Sequence, residues 1–117
     1  MNIQKCVEKE VKRLNKTFDL ATKVVIKDND NGRGYYDYKT DVIVLSWTVL
    51  SFADMYGFCE YPHIGKSITK KGKTAILSLV QHEYAHAIQF ARFGVDDLES
   101  EVGHGENFRS CLLSINS

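Results

Sequence analysis

The stretch T-A-I-L-S-L-V-Q-H-E-Y-A-H-A-I-Q-F-A-R-F, residues 74 to 93, decides the fold of this chain. Its apolar side chains recur at spacings of three and four, and so form one stripe along a helix. The stripe consists of Ile76, Leu79, Val80, Ala87 and Phe90. The opposite, water-facing side is predicted to carry Ser78, Gln81, Gln89 and Arg92. We therefore predict a helix that begins near Lys73 and ends at Gly94.

An H-E-x-x-H motif, formed by His82, Glu83 and His86, lies inside this helix. Residues four apart on a helix differ by about 40° in direction, so the two imidazoles can bind one metal ion. Glu83 falls within the apolar stripe, where a carboxylate is costly unless a partner offsets its burial. So short a motif also occurs by chance, and buried histidines are often only hydrogen-bonded. The place of Glu83 favours a metal site in which its carboxylate accepts a proton from a metal-bound water.

A third ligand is needed, because a catalytic zinc ion normally has three protein ligands and keeps one position for water. The preferred candidate is His104, which follows His86 by 18 residues in the segment G-H-G-E-N-F, 103 to 108. Glycine on both sides lets the backbone approach a metal closely. Residues 95 to 103 are predicted to form a return loop. The carboxylates of that loop remain alternative ligands: Asp96, Asp97, Glu99 and Glu101.

The motif pair H-E-x-x-H-A and G-H-G-x-x-F resembles the SprT-like metalloprotease family, which includes the Spartan-type proteases. The upstream segments G-R-G-Y-Y, 32 to 36, and T-D-V-I-V-L-S, 40 to 46, are similar to the hairpin before the active-site helix of that family. The resemblance spans residues 1 to 115. It implies a zincin-like fold and a zinc-dependent protease. By this resemblance the zinc ligands are His82, His86 and His104, and the catalytic general base is Glu83.

The resemblance also implies protein or peptide substrates and makes DNA a possible partner, because SprT-like relatives act on proteins crosslinked to DNA. Many of those relatives carry a zinc ribbon. Cys6, Cys59 and Cys111 lie far apart with no C-x-x-C pair, so a ribbon is not expected here. The two basic clusters, residues 5 to 16 and 66 to 73, are short, and acidic residues interrupt the first. We therefore predict weak DNA binding at most.

Composition indicates one globular domain, residues 1 to 117, with an ordinary apolar fraction of 44%. The 15 basic and 15 acidic residues give zero formal net charge, so no global charge favours nucleic acid or a membrane surface. The N-terminal segment is charged and has no apolar signal region, and no stretch reaches the length of a membrane span. Three scattered cysteines suit a reducing compartment, so we predict a cytoplasmic protein.

Shorter helices are predicted on both sides of the central one. Residues 2 to 18 carry apolar side chains at helical spacing, and residues 47 to 56 are predicted to form a short helix. Residues 106 to 115 are predicted to form a closing helix. Its inner side would carry Phe108, Leu112 and Ile115. The unpatterned segment 57 to 72 contains His63, which we do not count as a ligand because it is isolated in a loop.

A small sheet of about three strands completes the predicted α+β, zincin-like fold. Residues 22 to 27 are β-branched and predict a strand. Residues 33 to 38 and 41 to 46 predict a hairpin. An extended substrate is expected to add along an exposed edge of this hairpin. Three residues are candidates for stabilising negative charge on the substrate oxygen: Tyr35, Tyr36 and Tyr84.

The sequence leaves two other classes of function open beside a protease. A zinc hydrolase that acts on a non-peptide amide or ester would use the same residues, because the motif activates water and does not identify the bond. A non-catalytic metal-binding or partner-binding domain is the third class. Glu83 disfavours that class, because a structural zinc site needs no general base and is usually closed by four protein ligands.

Overall fold

The structure, a computed structural model, describes residues 2–28, 34–57, 71–99 and 104–115. These segments contain five helices and three strands, so the fold is α+β, as predicted. In chain order the elements are α1 (Ile3–Phe18), β1 (Lys23–Lys27), β2 (Tyr35–Asp37), β3 (Val42–Ser46), α2 (Trp47–Tyr56), α3 (Lys73–Phe93), α4 (Val95–Glu99) and α5 (Glu106–Ile115). Of the residues named above, Cys59, His63 and Glu101 lie outside the described residues.

Helix α3 is the central element, and α1, α2, α4, α5 and β2 all pack against it. Four of the five residues of its apolar stripe are buried as predicted, with Ile76 and Val80 fully inaccessible to solvent, and Phe90 is partly exposed. The helix is 21 residues long and is bounded by Gly72 and Gly94. The φ angles of these glycines, 88° and 84°, lie in a region that residues with a side chain rarely adopt. The predicted limits of the helix are therefore confirmed.

Helix α1 confirms the first predicted helix and packs on α3. It begins after Asn2, whose side chain accepts a hydrogen bond of 3.0 Å from the backbone N–H of Lys5. Such a cap satisfies a backbone donor that the first turn of a helix otherwise leaves unbonded. The apolar face of α1 is buried, with Val7, Val11 and Leu14 in the core.

The sheet has the strand order β1-β3-β2, which places β3 in the middle. Strands β2 and β3 form the predicted antiparallel hairpin. Strand β1 pairs with β3 in parallel, a pairing that the sequence pattern did not predict. The central position of β3 explains its unbroken apolar run, because Ile43, Val44 and Leu45 are all buried. Strand β2 lies at the edge of the sheet and contacts α3.

The segment after α3 corrects the prediction of a return loop. Residues Val95–Glu99 form the one-turn helix α4 directly after Gly94. Five residues are too few to show a helical period in the sequence. The carboxylates of Asp96 and Asp97 lie in the first turn of α4, where they suit the positive end of the helix dipole.

Helix α5 coincides with the predicted closing helix and packs against α3. Its inner face buries Phe108, Cys111, Leu112 and Ile115. This packing fixes the start of α5 close to the H-E-x-x-H segment of α3. Across the described segments, we find no helix that combines the length and the apolar character needed to cross a membrane.

Candidate metal centre

Three histidine side chains from two parts of the chain meet beside α3. His82 and His86 lie about one turn apart on α3, and His104 lies two residues before α5 begins. One ligand nitrogen from each ring lies within 4.8 Å of the other two. The structure therefore brings together the three histidines that the motifs predicted as metal ligands, close enough to bind one ion.

The spacing of the ring nitrogens of His86 and His104 fits a divalent metal ion. The Nε2 atoms of His86 and His104 are 3.2 Å apart. Two nitrogens bound to one zinc ion at about 2.0–2.1 Å and at a tetrahedral angle lie about 3.3 Å from each other. In the metal-free protein the same separation suits an N–H···N hydrogen bond between the rings. Three imidazoles suit zinc as well as copper, iron or nickel, so the geometry alone does not identify the metal.

The described carboxylates among the alternative third ligands, Asp96, Asp97 and Glu99, do not belong to this cluster. Among the described residues, the three histidines form the group whose ligand atoms converge on one point. Glu99 lines the adjoining cavity without belonging to that group. The carboxylate of Asp97 accepts hydrogen bonds from two amide side chains, and Asp96 is exposed. His104 is therefore the better-placed candidate.

The aromatic ring of Phe108 forms an apolar backing to the three imidazoles. Its centroid lies 5.1 Å from that of His82, 4.2 Å from that of His86 and 5.1 Å from that of His104. Phe108 is fully buried on the inner face of α5. The G-H-G-x-x-F spacing thus has a structural reason, because the phenylalanine packs against the ring of the histidine four residues before it.

A cavity of about 410 Å³ opens beside the three histidines, and Glu83 lines it. Glu83 is only 6% exposed, as its place in the apolar stripe predicted. Its carboxylate and the three imidazoles therefore line one cavity. The remaining lining residues are Gly34, Tyr35, Tyr36, Tyr38, Leu98 and Glu99.

The backbone at Gly34, just before β2, passes very close to this carboxylate. A Cβ atom added at Gly34 would lie 2.9 Å from Cδ2 of Leu45 and 3.4 Å from Oε2 of Glu83. Real Cβ atoms essentially never approach another atom as closely as the first of these distances. The absence of a side chain at Gly34 thus lets the edge of the sheet lie against the candidate catalytic residue.

We expect Gly34→Ala to lower both stability and turnover. The added methyl group must displace the buried Leu45, which typically costs about 1–3 kcal/mol, and it crowds the Glu83 carboxylate. Urea unfolding and cleavage rate per folded molecule measure the two effects. Gly72→Ala is the control, because its φ of 88° strains an alanine while the new Cβ meets no described atom within 4 Å. If both variants lowered only stability, the backbone at Gly34 would not influence Glu83.

His86 is held by a side chain that we predicted on the water-facing side of α3. Its Nδ1 atom lies 2.9 Å from Oε1 of Gln89, and Gln89 is fully buried. The prediction for Gln89 is therefore wrong, because α4 covers this side of α3 and the Gln89 amide donates to Asp97. The i, i+3 spacing of His86 and Gln89 could have indicated this contact.

The surroundings of His86 favour its neutral form. Burial lowers the pKa of the ring to about 3, while the hydrogen bond to Gln89 acts in the opposite direction. The neighbouring charges of His82 and His104 lower the pKa further. Neutral imidazole is the form that binds metal, so this ring is available as a ligand without first losing a proton.

Of the three tyrosines that are candidates for stabilising charge on the substrate oxygen, two donate their hydroxyl hydrogens to other side chains. The Tyr84 hydroxyl donates to Oδ1 of Asn15 at 2.8 Å, and the side chain is fully buried. The Tyr36 hydroxyl donates to Oδ1 of Asp41 at 2.7 Å. Burial is the main cause that raises the pKa of both hydroxyls above the usual range. Tyr35 is 49% exposed at the cavity and is the candidate best placed to reach a substrate.

Comparison of the chain with models of known protein families, with curated protein sequences and with solved structures finds no match. What the structure itself defines is an α+β domain with a cluster of three histidines beside a buried glutamate. The resemblance to SprT-like proteases therefore stays a prediction from the motif residues of the chain.

Proposed function

We propose that this protein is a zinc metallopeptidase of the SprT-like type, with His82, His86 and His104 as the zinc ligands and Glu83 as the general base. One observation carries the proposal: the buried Glu83 carboxylate lines the same cavity as three converging imidazoles. Three protein ligands leave a position open for water, as catalytic zinc sites require. A structural zinc site needs no general base, so it would not require the buried Glu83 carboxylate in the cavity lining.

The chain supplies the proton-transfer group of such a reaction. When bound, zinc would polarise the scissile carbonyl and lower the pKa of its water ligand toward about 7. Glu83 accepts the proton of the attacking water and passes it to the leaving amine. Its burial beside the cavity limits competing water. Tyr35 is our candidate for donating a hydrogen bond to the oxygen on which negative charge develops.

The edge of the sheet offers a place for an extended peptide. Among the described strands, β2 pairs only with β3, so no described strand pairs with its other edge. Gly34, just before β2, and Tyr35, its first residue, line the cavity beside the histidines. A substrate added along this edge would be held by main-chain hydrogen bonds, which select little for sequence. Unfolded or flexible protein segments are therefore the proposed substrates.

A zinc assay joined to a substrate panel tests the proposal. We expect the purified protein to hold about one zinc ion per chain and to cleave unfolded proteins faster than small amides or esters. Cleavage of small amides or esters alone would favour a zinc hydrolase that acts on a non-peptide bond. Bound zinc without any hydrolysis would favour a metal-binding domain instead.

The two thiols that the structure describes suit our proposal of a cytoplasmic location. Cys6 and Cys111 are both free, and Cys111 is buried. Free thiols persist in a reducing compartment, whereas oxidising compartments favour disulfides.

The two basic clusters of the sequence contribute to one surface. Lys5, Lys9 and Arg13 on α1 and Lys73 at the start of α3 line a cavity of about 430 Å³. Arg13 is paired with Glu10, with 2.7 Å between Nε and Oε1. The pairing offsets the charge of Arg13, so the three lysines carry most of the positive charge of this surface.

We expect weak DNA binding that is lost near physiological salt, and hydrolysis that does not need DNA. Three phosphate contacts predict a slope of about −2.7 for the logarithm of affinity against the logarithm of salt concentration on duplex DNA. Salt titrations with single- and double-stranded DNA, run beside cleavage assays with and without DNA, measure this. Tight binding at physiological salt, or cleavage strictly dependent on DNA, would contradict the prediction.

A further inference from the structure

A continuous path of hydrogen bonds leads from His86 through three helices. The Nδ1 atom of His86 lies 2.9 Å from Oε1 of Gln89 on the same helix. Gln89 donates through Nε2 to Oδ2 of Asp97 on α4 at 2.5 Å, and to the Asp97 backbone oxygen at 3.3 Å. The other carboxylate oxygen of Asp97 accepts from Nδ2 of Asn107 on α5 at 2.8 Å. These side-chain hydrogen bonds link α3 to α4 and α4 to α5 next to His86.

The chemistry of these groups fixes which nitrogen of His86 carries a proton. Both Asp97 oxygens bonded by Gln89 can only accept, so the amide nitrogen of Gln89 must face Asp97. The amide oxygen of Gln89 must then face His86. Since that oxygen can only accept, Nδ1 of His86 carries the hydrogen, and Nε2 keeps its lone pair. That lone pair points toward His104, where a metal ion would be held.

The same path fixes the distance between the two parts of the chain that supply the ligands. Asn107 lies in the first turn of α5, three residues after His104. Its hydrogen bond to Asp97 ties the start of α5 to α4, and Gln89 ties α4 to the metal-binding face of α3. A change at Asp97 would therefore disturb both the ring orientation of His86 and the position of His104.

The burial of Gln89 indicates that this side chain does more than fill space between α3 and α4. Gln89 is fully buried, and a buried amide is costly unless its donors and acceptor are satisfied. An apolar residue at position 89 would continue the helix and pack under α4 without that requirement. Metal-binding histidines generally use their second nitrogen to donate to an oxygen that holds the ring in place.

We propose that Gln89, Asp97 and Asn107 act as positioning residues that hold His86 as the Nδ1-protonated tautomer and set the His86–His104 spacing for metal binding. The proposal rests on the metal centre proposed above and extends it to residues that contact no substrate. Loss of such outer partners typically weakens metal binding about 10–100-fold.

The test compares Gln89→Leu with Gln81→Leu. Gln81 lies on the same helix and is also partly buried, but its Nε2 donates to Glu10 of α1 at 2.7 Å, away from the histidines. Zinc affinity is measured by competition with a chromophoric chelator, and unfolding temperature is measured without metal. We expect both variants to lose some stability, and Gln89→Leu alone to bind zinc about 10–100-fold more weakly.

A second readout requires no metal. Nitrogen-15 spectra of the imidazole rings report the tautomer of each histidine in the metal-free protein. We expect the Nδ1-protonated tautomer for His86 in the wild type and in Gln81→Leu, and a mixture of tautomers in Gln89→Leu.

Asp97→Asn retains nearly the same shape but cannot accept from both amides, so it should weaken zinc binding, as Gln89→Leu does. The double variant Gln89→Leu/Asp97→Asn should lose less zinc affinity than the two single losses added together, because both changes break the Gln89–Asp97 hydrogen bond.

The outcomes separate this proposal from the proposed function. Zinc affinity and tautomer that are unchanged in Gln89→Leu would overturn the positioning role while leaving the zinc peptidase intact. Equal losses of zinc affinity in Gln89→Leu and Gln81→Leu would also overturn it, because they would indicate a general effect of destabilising α3. A wild-type protein that binds no divalent metal would remove the proposed metal centre and this role with it.

Discussion

Replacing Glu83 with glutamine should leave zinc bound and abolish hydrolysis. Glutamine has nearly the shape of glutamate, so packing of the nearly buried side chain against the cavity is preserved. Its amide cannot accept the proton of the attacking water. Loss of general-base assistance alone should lower the rate by at least about 10²–10⁴-fold. The measurements are zinc content and the cleavage rate of an unfolded protein substrate that the wild type degrades.

Glu106→Gln is the matched control for this change. Glu106 is an exposed carboxylate two residues from His104, so its removal changes the charge near the centre without touching the cavity. It should retain close to wild-type hydrolysis. Cleavage by Glu83→Gln at the wild-type rate would mean that the proposed mechanism is wrong.

His104→Ala has the second large expected effect, which is loss of zinc. The change removes one of three converging imidazoles and leaves two ligands that lie on a single helix. We expect the loss in zinc affinity to exceed the roughly 10–100-fold that removal of an outer partner causes. Competition with a chelator measures it. Unfolding of the metal-free variant shows whether the packing of His104 against Phe108 matters for the fold.

Glu99→Ala is the comparison that addresses the alternative ligand. Glu99 lines the same cavity and is the described carboxylate that could replace His104 as third ligand. With His104 as the ligand, Glu99→Ala keeps zinc and His104→Ala loses it. Unchanged zinc affinity in His104→Ala would remove His104 from the ligand set and favour Glu99 or Glu101.

The parts of the fold that the sequence predicted well are those with a sustained period. Helices α1, α3 and α5 have at least ten residues each, so their apolar spacing repeats several times. The glycines at 72 and 94 then mark where α3 begins and ends. The hairpin followed from two short β-rich runs on either side of a turn. In the same way, His82 and His86 share a helical face through spacing alone.

What the sequence did not reveal depends on contacts between distant segments. The parallel pairing of β1 with β3 leaves no local pattern, because the two strands are separated by β2 along the chain. Helix α4 is one turn long and so has no period to detect. The helical pattern predicts Gln89 on the water-facing side because it contains no sign of α4, which covers this residue. Lys73 of the second basic cluster likewise lies beside Lys5 and Lys9 of the first only through the packing of α1 on α3.

Because His104 belongs to a different element from His82 and His86, a bound metal would cross-link two segments of the chain. His82 and His86 already share the rigid α3, whereas His104 lies outside regular structure, ahead of α5. Metal binding and the docking of α5 are then linked thermodynamically, and each strengthens the other by the same free energy. The concentration of free metal in the cell would thus add to the apolar packing that holds α5 against α3. Removal of the metal would weaken the docking of α5 on α3.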